Sequence, residues 1–130
     1  MPMTRRFLTL FLFLAAAAFA QNRVYELRTY TCNEGKLPDL LKRFRDHTIE
    51  IFNRHGIQSV GYWIPQDDRS KTTLIYLISH ASREQATKNW ADFGADPEWK
   101  KVNADSNANG RIVAKVESVF LDPTDFSKLK

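Results

Sequence analysis

Along this chain the spacing of the apolar residues switches between two and about 3.6 in a set order, and few folds accommodate that order. Val24 to Thr31, VYELRTYT, alternates Tyr25, Leu27 and Thr29 with Glu26, Arg28 and Tyr30, the period of a strand with one apolar and one mixed face. Leu37, Leu40, Leu41, Phe44, Ile51 and Phe52 then recur at helical spacing. Pro38 falls in the first turn, where its missing N–H is no loss, and Gly56 falls at the end, where a left-handed backbone is wanted. Ile57 to Ile64 reads as a second strand and Thr72 to His80, TTLIYLISH, as a third, joined into a hairpin by the polar turn PQDDRSK. Ser82 with Gln85 forms a capping box that opens a helix carrying Ala86, Trp90 and Phe93, and Gly94 is expected to stop it. Asp96 and Pro97 suit the N-cap and first position of a further short helix bearing Trp99 and Val102, and RIVAKVESVFL alternates again as a last strand. The order β-α-β-β-α-(α)-β is ferredoxin-like: an α+β fold with a four-stranded antiparallel sheet and helices on one face.

Helices on one face leave the other face of the sheet to be covered. If that face carries Tyr25, Leu27, Ile75, Leu77, Ala114, Val116 and Phe120, it is too apolar for water, and a homodimer is expected.

Arg5 and Arg6 precede an apolar run from Phe7 to Phe19, which ends in the small-residue pattern Ala18-Phe19-Ala20. These features predict a signal peptide over residues 1–20 and an exported, periplasmic or secreted domain over 21–130. Retention of the run as an anchor helix is the alternative; no later segment is apolar enough to span a bilayer. Removing residues 1–20 leaves 17 of the 19 basic side chains against 15 acidic ones, so much of the apparent basicity belongs to the leader. The remaining charges alternate in sign without a Lys/Arg block, which argues against nucleic-acid binding. Cys32 is the single cysteine, so no intrachain disulfide forms; a buried thiol is expected, with pairing between subunits as the alternative.

Five stretches in order, VYELRTYT, RFRDHT at Arg43 to Thr48, RHGIQSVGYW, LIYLISHASRE and ADPEWKKV, closed by VFLDPTDFS, closely resemble the NIPSNAP family. The resemblance covers essentially the whole of residues 21–130. It implies a dimeric α+β barrel, in which two ferredoxin-like subunits close their sheets against each other, and it carries over no catalytic residues.

Histidines stand at positions 47, 55 and 80. Phe44, His47, Thr48 and Ile51 share one helical face at i, i+3, i+4 and i+7, so His47 is expected at or beside the sheet, as a core residue or as a pocket residue. No two of the histidines have ligand spacing and Cys32 is solitary, so no metal is expected, and no cofactor motif is present. Serine-nucleophile elbows and phosphate loops are lacking too. Glu26, Arg28 and Tyr30 on the first strand are the most unusual feature, because buried charges need partners. Two arrangements fit them. One is a structural ion-pair network of Glu26 and Arg28 with Lys115 and Glu117; the other is a ligand pocket in which Arg28 anchors an anionic group among Tyr30, Tyr62, Trp63, His47 and His80.

Three functions follow from these patterns. The first is a dimeric module that binds a small apolar or acidic molecule or a protein. The second, by fold analogy, is a cofactor-independent oxygenase or isomerase of the dimeric α+β barrel type. The third is a haem protein on the same fold, with His47 or His80 as axial ligand.

Overall fold

A computed structural model of the chain describes residues 23–130, together with Pro2. The expected export signal, residues 1–20, lies outside the described residues apart from that proline. Strands β1 (Val24–Cys32), β2 (Gln58–Trp63), β3 (Thr73–His80) and β4 (Val113–Leu121) form one sheet in the order β2-β3-β1-β4. All three pairings are antiparallel. Helices α1 (Leu37–Arg43), α2 (Ile49–Arg54), α3 (Arg83–Ala95) and α4 (Pro97–Ser106) complete a ferredoxin-like α+β domain. Among the described residues no helix is long and apolar enough to cross a membrane.

The core fills the space between one sheet face and the helices. Leu40, Phe44, Ile51 and Phe52 from α1, α2 and the turn between them meet Leu74, Tyr76 and Ile78 of β3, with Ile57, Phe93, Ile112 and Cys32 at the margins. Phe44 packs edge-on against both Phe52 and Tyr76, the geometry that aromatic quadrupoles favour. Burial raises the pKa of the Cys32 thiol, so little reactive thiolate is present at neutral pH.

Three local features depart from the expected pattern. The first helix is not regular: Phe44–Thr48 forms a π-helical turn between α1 and α2, in which the Ile49 N–H donates to the Phe44 carbonyl and the Thr48 hydroxyl to the Arg43 carbonyl at 3.3 Å. This wider turn keeps Phe44 and Thr48 buried while carrying His47 outward, so His47 is exposed and not beside the sheet. Second, Gly94 does not stop α3, which runs on to Ala95. Asp96 makes the break instead, with an extended backbone at φ −62 and ψ 123, because the residue before a proline is driven out of the helical region. Gly56 does end α2, at φ +74.

The third departure concerns the uncovered sheet face. Phe120 lies opposite Glu26 and Val116 opposite Tyr30, so both are on the helical side, and Ala114 falls at the register shift next to Cys32. Val119 and Leu121 take their place, opposite Leu27 and Tyr25. β4 carries apolar residues at both parities, so alternation alone could not choose, and a one-residue slip exchanges the faces. Trp63 joins this open face across from Ile75, its indole lying over Gly61 so closely that a β-carbon there would come within 2.4 Å of the ring.

Candidate functional site

β1 lies between β3 and β4, so its inward side chains are surrounded, and Glu26 is 1% exposed. A carboxylate so buried must be neutralised and hydrogen-bonded. Both requirements are met. Oε2 accepts from Arg28 Nη1 at 2.6 Å and Ser118 Oγ at 2.7 Å, and Oε1 accepts from Trp90 Nε1 at 2.8 Å and His80 Nε2 at 2.9 Å. Burial alone would raise the Glu26 pKa; the hydrogen bonds from His80, Ser118, Trp90 and Arg28 outweigh it and bring the pKa down to about 2.

The partners are themselves held. Arg28 spends Nε on the Tyr76 hydroxyl at 2.9 Å and Nη2 on the Tyr30 hydroxyl at 3.3 Å, while its guanidinium carbon lies 4.3 Å from the centre of a Trp90 ring. Burial works against its charge, but the Tyr76 and Tyr30 oxygens and the Glu26 carboxylate hold its pKa above the ordinary arginine value. Asn89 accepts from Gln85 Nε2 through Oδ1 at 2.8 Å, which turns its Nδ2 toward the Gly56 carbonyl at 3.2 Å and His80 Nδ1 at 3.1 Å. His80 Nδ1 is therefore an acceptor, and the ring proton sits on Nε2, facing Glu26. Both ring nitrogens of His80 are occupied within the protein.

Arg28, Tyr30 and His80 thus share one cluster with Glu26. Tyr62 lies beside it, stacked on Tyr76 with ring centres 5.3 Å apart and its hydroxyl paired with Ser59 at 2.8 Å. The other expected members are elsewhere. Trp63 is on the opposite sheet face, 53% exposed. Lys115 and Glu117 are also on that face and pair with each other at 3.2 Å, so the ion-pair network does not include them. In their place stand Ser118, one residue on, and Trp90, His80 and Asn89 from other elements. The last strand's parity hid Ser118, and Trp90 reads in the sequence as an apolar ring whose N–H goes unnoticed. His55 is structural: its Nε2 and Arg54 Nη2 both reach Asp96 Oδ2, at 2.7 and 2.9 Å, tying the end of α2 to the cap of α4. Those two partners, His55 first, hold the Asp96 carboxyl below the usual range.

His47 borders a different feature, a cleft of about 490 Å³ between α1 with its π turn and α4. Arg43 and Ser106 line it from opposite sides and are joined by Arg43 Nη1 to Ser106 Oγ at 3.2 Å. Arg43 is 7% exposed, rests against Trp99 with its guanidinium carbon 5.2 Å from the ring centre, and has no carboxylate partner among the described residues. Its Nε is buried without an acceptor, and burial pulls its pKa below the ordinary arginine value. An unmatched buried charged donor costs about 1–3 kcal/mol or more. The only trace in the sequence is spacing: Arg43 stands three residues after Leu40, at the edge of the apolar stripe.

The NIPSNAP family model matches residues 25–128. Comparison with curated proteins returns no match. Among solved structures, a NIPSNAP family protein of unknown function from Agrobacterium tumefaciens superposes with a TM-score of 0.72 at 25% identity, over 85% of this chain and 96% of that one. A NIPSNAP-like domain protein from Burkholderia xenovorans gives 0.71 at 18% identity, over 82% and 90% of the two chains. A protein designated an antibiotic biosynthesis monooxygenase, from Bacteroides thetaiotaomicron, gives 0.58 at 18%, over 85% and 97%, which is a likeness of fold. With the match spanning every strand and helix described above, the chain belongs to the NIPSNAP family.

Proposed function

We propose that this chain is an exported, homodimeric module that binds a small molecule and does not turn it over. The saturation of the Glu26 cluster carries this proposal. Every polar group there that could serve as base, acid or oxyanion donor is already bonded to another: Glu26 takes four donors and His80 uses both nitrogens. An axial haem ligand or a general base would need one of those nitrogens free. Export is supported by Arg5-Arg6, the apolar run and Ala18-Phe19-Ala20. The dimer is supported by the open sheet face, where Trp63, Val119 and Leu121 are 53, 49 and 40% exposed beside Leu27, Ile75 and Leu77.

Sedimentation equilibrium at micromolar concentration is expected to give twice the chain mass, and Trp63→Glu to give one. Oxygen uptake with a panel of quinols and phenols is expected to stay at background. A monomeric wild type removes the dimer, and uptake that is abolished by His80→Gln replaces binding with oxygenase chemistry.

A further inference from the structure

We propose that Asn109 is a self-modifying site: its side-chain amide is converted to a carboxylate through attack by the Gly110 backbone nitrogen, and the Lys36 ammonium assists. Residues 109 and 110 form the one Asn-Gly pair of the chain and stand exposed in the turn between α4 and β4.

The run NADSNANG holds three asparagines under unlike restraint. Asn107 Nδ2 donates to the Asn103 carbonyl at 2.7 Å and to Asn103 Oδ1 at 3.1 Å, while Asn107 Oδ1 accepts from the Ile112 N–H at 2.9 Å. An alanine follows each of these two, and its methyl crowds the backbone nitrogen that would have to attack. Asn109 is different. Its backbone carbonyl accepts from Lys36 Nζ at 3.0 Å, and among the described residues its side-chain amide makes no hydrogen bond. Gly110 follows it at φ +117, with no side chain to shield its nitrogen.

The reaction needs no co-reactant but water. The Gly110 nitrogen loses its proton and bonds to Asn109 Cγ; the Cγ–Nδ2 bond breaks and Nδ2 leaves with that proton as ammonia. The product is a five-membered succinimide. Water then opens the ring, giving its hydroxyl to a carbonyl carbon and its proton back to the Gly110 nitrogen. Opening at Cγ gives aspartate, and opening at the main-chain carbonyl carbon gives isoaspartate. The first step places negative charge on the Gly110 nitrogen, and amide resonance spreads it to the Asn109 carbonyl oxygen. Lys36 donates to that same oxygen, so a full positive charge stands where the charge develops. Lys36 Nζ is also held against Gly110, 3.7 Å from where a β-carbon would lie. The opposing restraint is one turn hydrogen bond, from the Gly110 N–H to the Asn107 carbonyl at 3.1 Å.

The modification alters its surroundings. Asn109 borders the cleft between α1 and α4, so the new carboxylate joins Asp39, Asp46, Glu98 and Asp105 in its lining. Isoaspartate also adds one carbon to the backbone path, just ahead of the fully buried Ile112.

The test incubates the purified folded chain at neutral and mildly alkaline pH. Anion-exchange chromatography, intact mass and peptide mapping are followed together, and circular dichroism checks that the chain stays folded. One more acidic species is expected, heavier by the difference between a hydroxyl and an amino group and accumulating faster at the higher pH. Its change should map to Asn109, with aspartate and isoaspartate both present, while Asn103 and Asn107 keep their amides. Asn109→Gln is expected to prevent it. Lys36→Met is expected to slow it about threefold or more, the modest effect of a solvent-screened charge, and Lys36→Arg to hold the rate. An Asn109 that keeps its amide in the folded chain but loses it in urea overturns the proposal, as does equal conversion at Asn103 and Asn107. A rate unchanged or raised in folded Lys36→Met refutes the part assigned to Lys36.

Discussion

Arg28 and Arg43 are both arginines drawn into the helix-sheet interior, and the protein treats them in opposite ways. Arg28 meets a carboxylate, two phenol oxygens and an indole face. Arg43 meets one serine hydroxyl and an indole, and keeps a buried Nε with nothing to donate to. Desolvation penalises both charges, but only the first site supplies the opposing attraction. Burial of a polar residue therefore does not by itself separate architecture from function. The completeness of its partners tells more: a closed network stabilises the fold, and a buried charge without a counterpart costs stability.

The strongest way to break this contrast is Arg28→Met. It leaves Glu26 buried without its cation and is expected to destabilise by about 3–5 kcal/mol in urea unfolding, with or without added acids. A loss below about 1 kcal/mol would make the Glu26 cluster as unsatisfied as Arg43 and erase the distinction.

Acid should reveal the same network. The Glu26 pKa is depressed from 4.5 to about 2, so its contribution is fully present above its unfolded pKa near 4.5 and is lost as the pH falls through 2. The shift corresponds to roughly 3 kcal/mol. Unfolding free energies followed from pH 6 to pH 2 should show that decline in the wild type and a shallower one in Glu26→Gln, and parallel curves would remove the depressed pKa.

The outer boundary of the network is sharpened by Gly56→Val. The position needs φ +74, and a β-carbon there would come within 3.2 Å of Asn89 Oδ1, the side chain that orients His80. A loss of about 1–3 kcal/mol is expected in thermal unfolding, and an unchanged melting temperature would detach Asn89 from the cluster.

The smallest expected effect is the most telling. Arg43→Met, without ligand, should range from no change to a gain of about 1–2 kcal/mol, because a lone buried charge is replaced by an apolar chain of similar reach. A loss like that of Arg28→Met would mark Arg43 as a second structural arginine.

The element order, the hairpin, the Ser82 and Asp96 caps and the stop at Gly56 were all legible in the chain, because each depends on residues close in sequence: periodicity, a side chain reaching an N–H two or three residues on, or one glycine's φ. The unusual polarity of Glu26 and Arg28 was legible for the same reason. Their partners were not. Ser118, Trp90 and His80 lie 92, 64 and 54 residues from Glu26 and arrive only when the sheet order and helix docking bring them in. Two local irregularities then redirected what periodicity assigned. The π turn added a residue to the helix and turned His47 out of the core, and the register shift at Cys32 set which side of β4 faces away from the helices. The chain by itself determined the fold through short-range spacing and the presence of buried charges; tertiary structure alone decided which charge is neutralised and which is left open, because pairing depends on distances that no spacing along the backbone encodes.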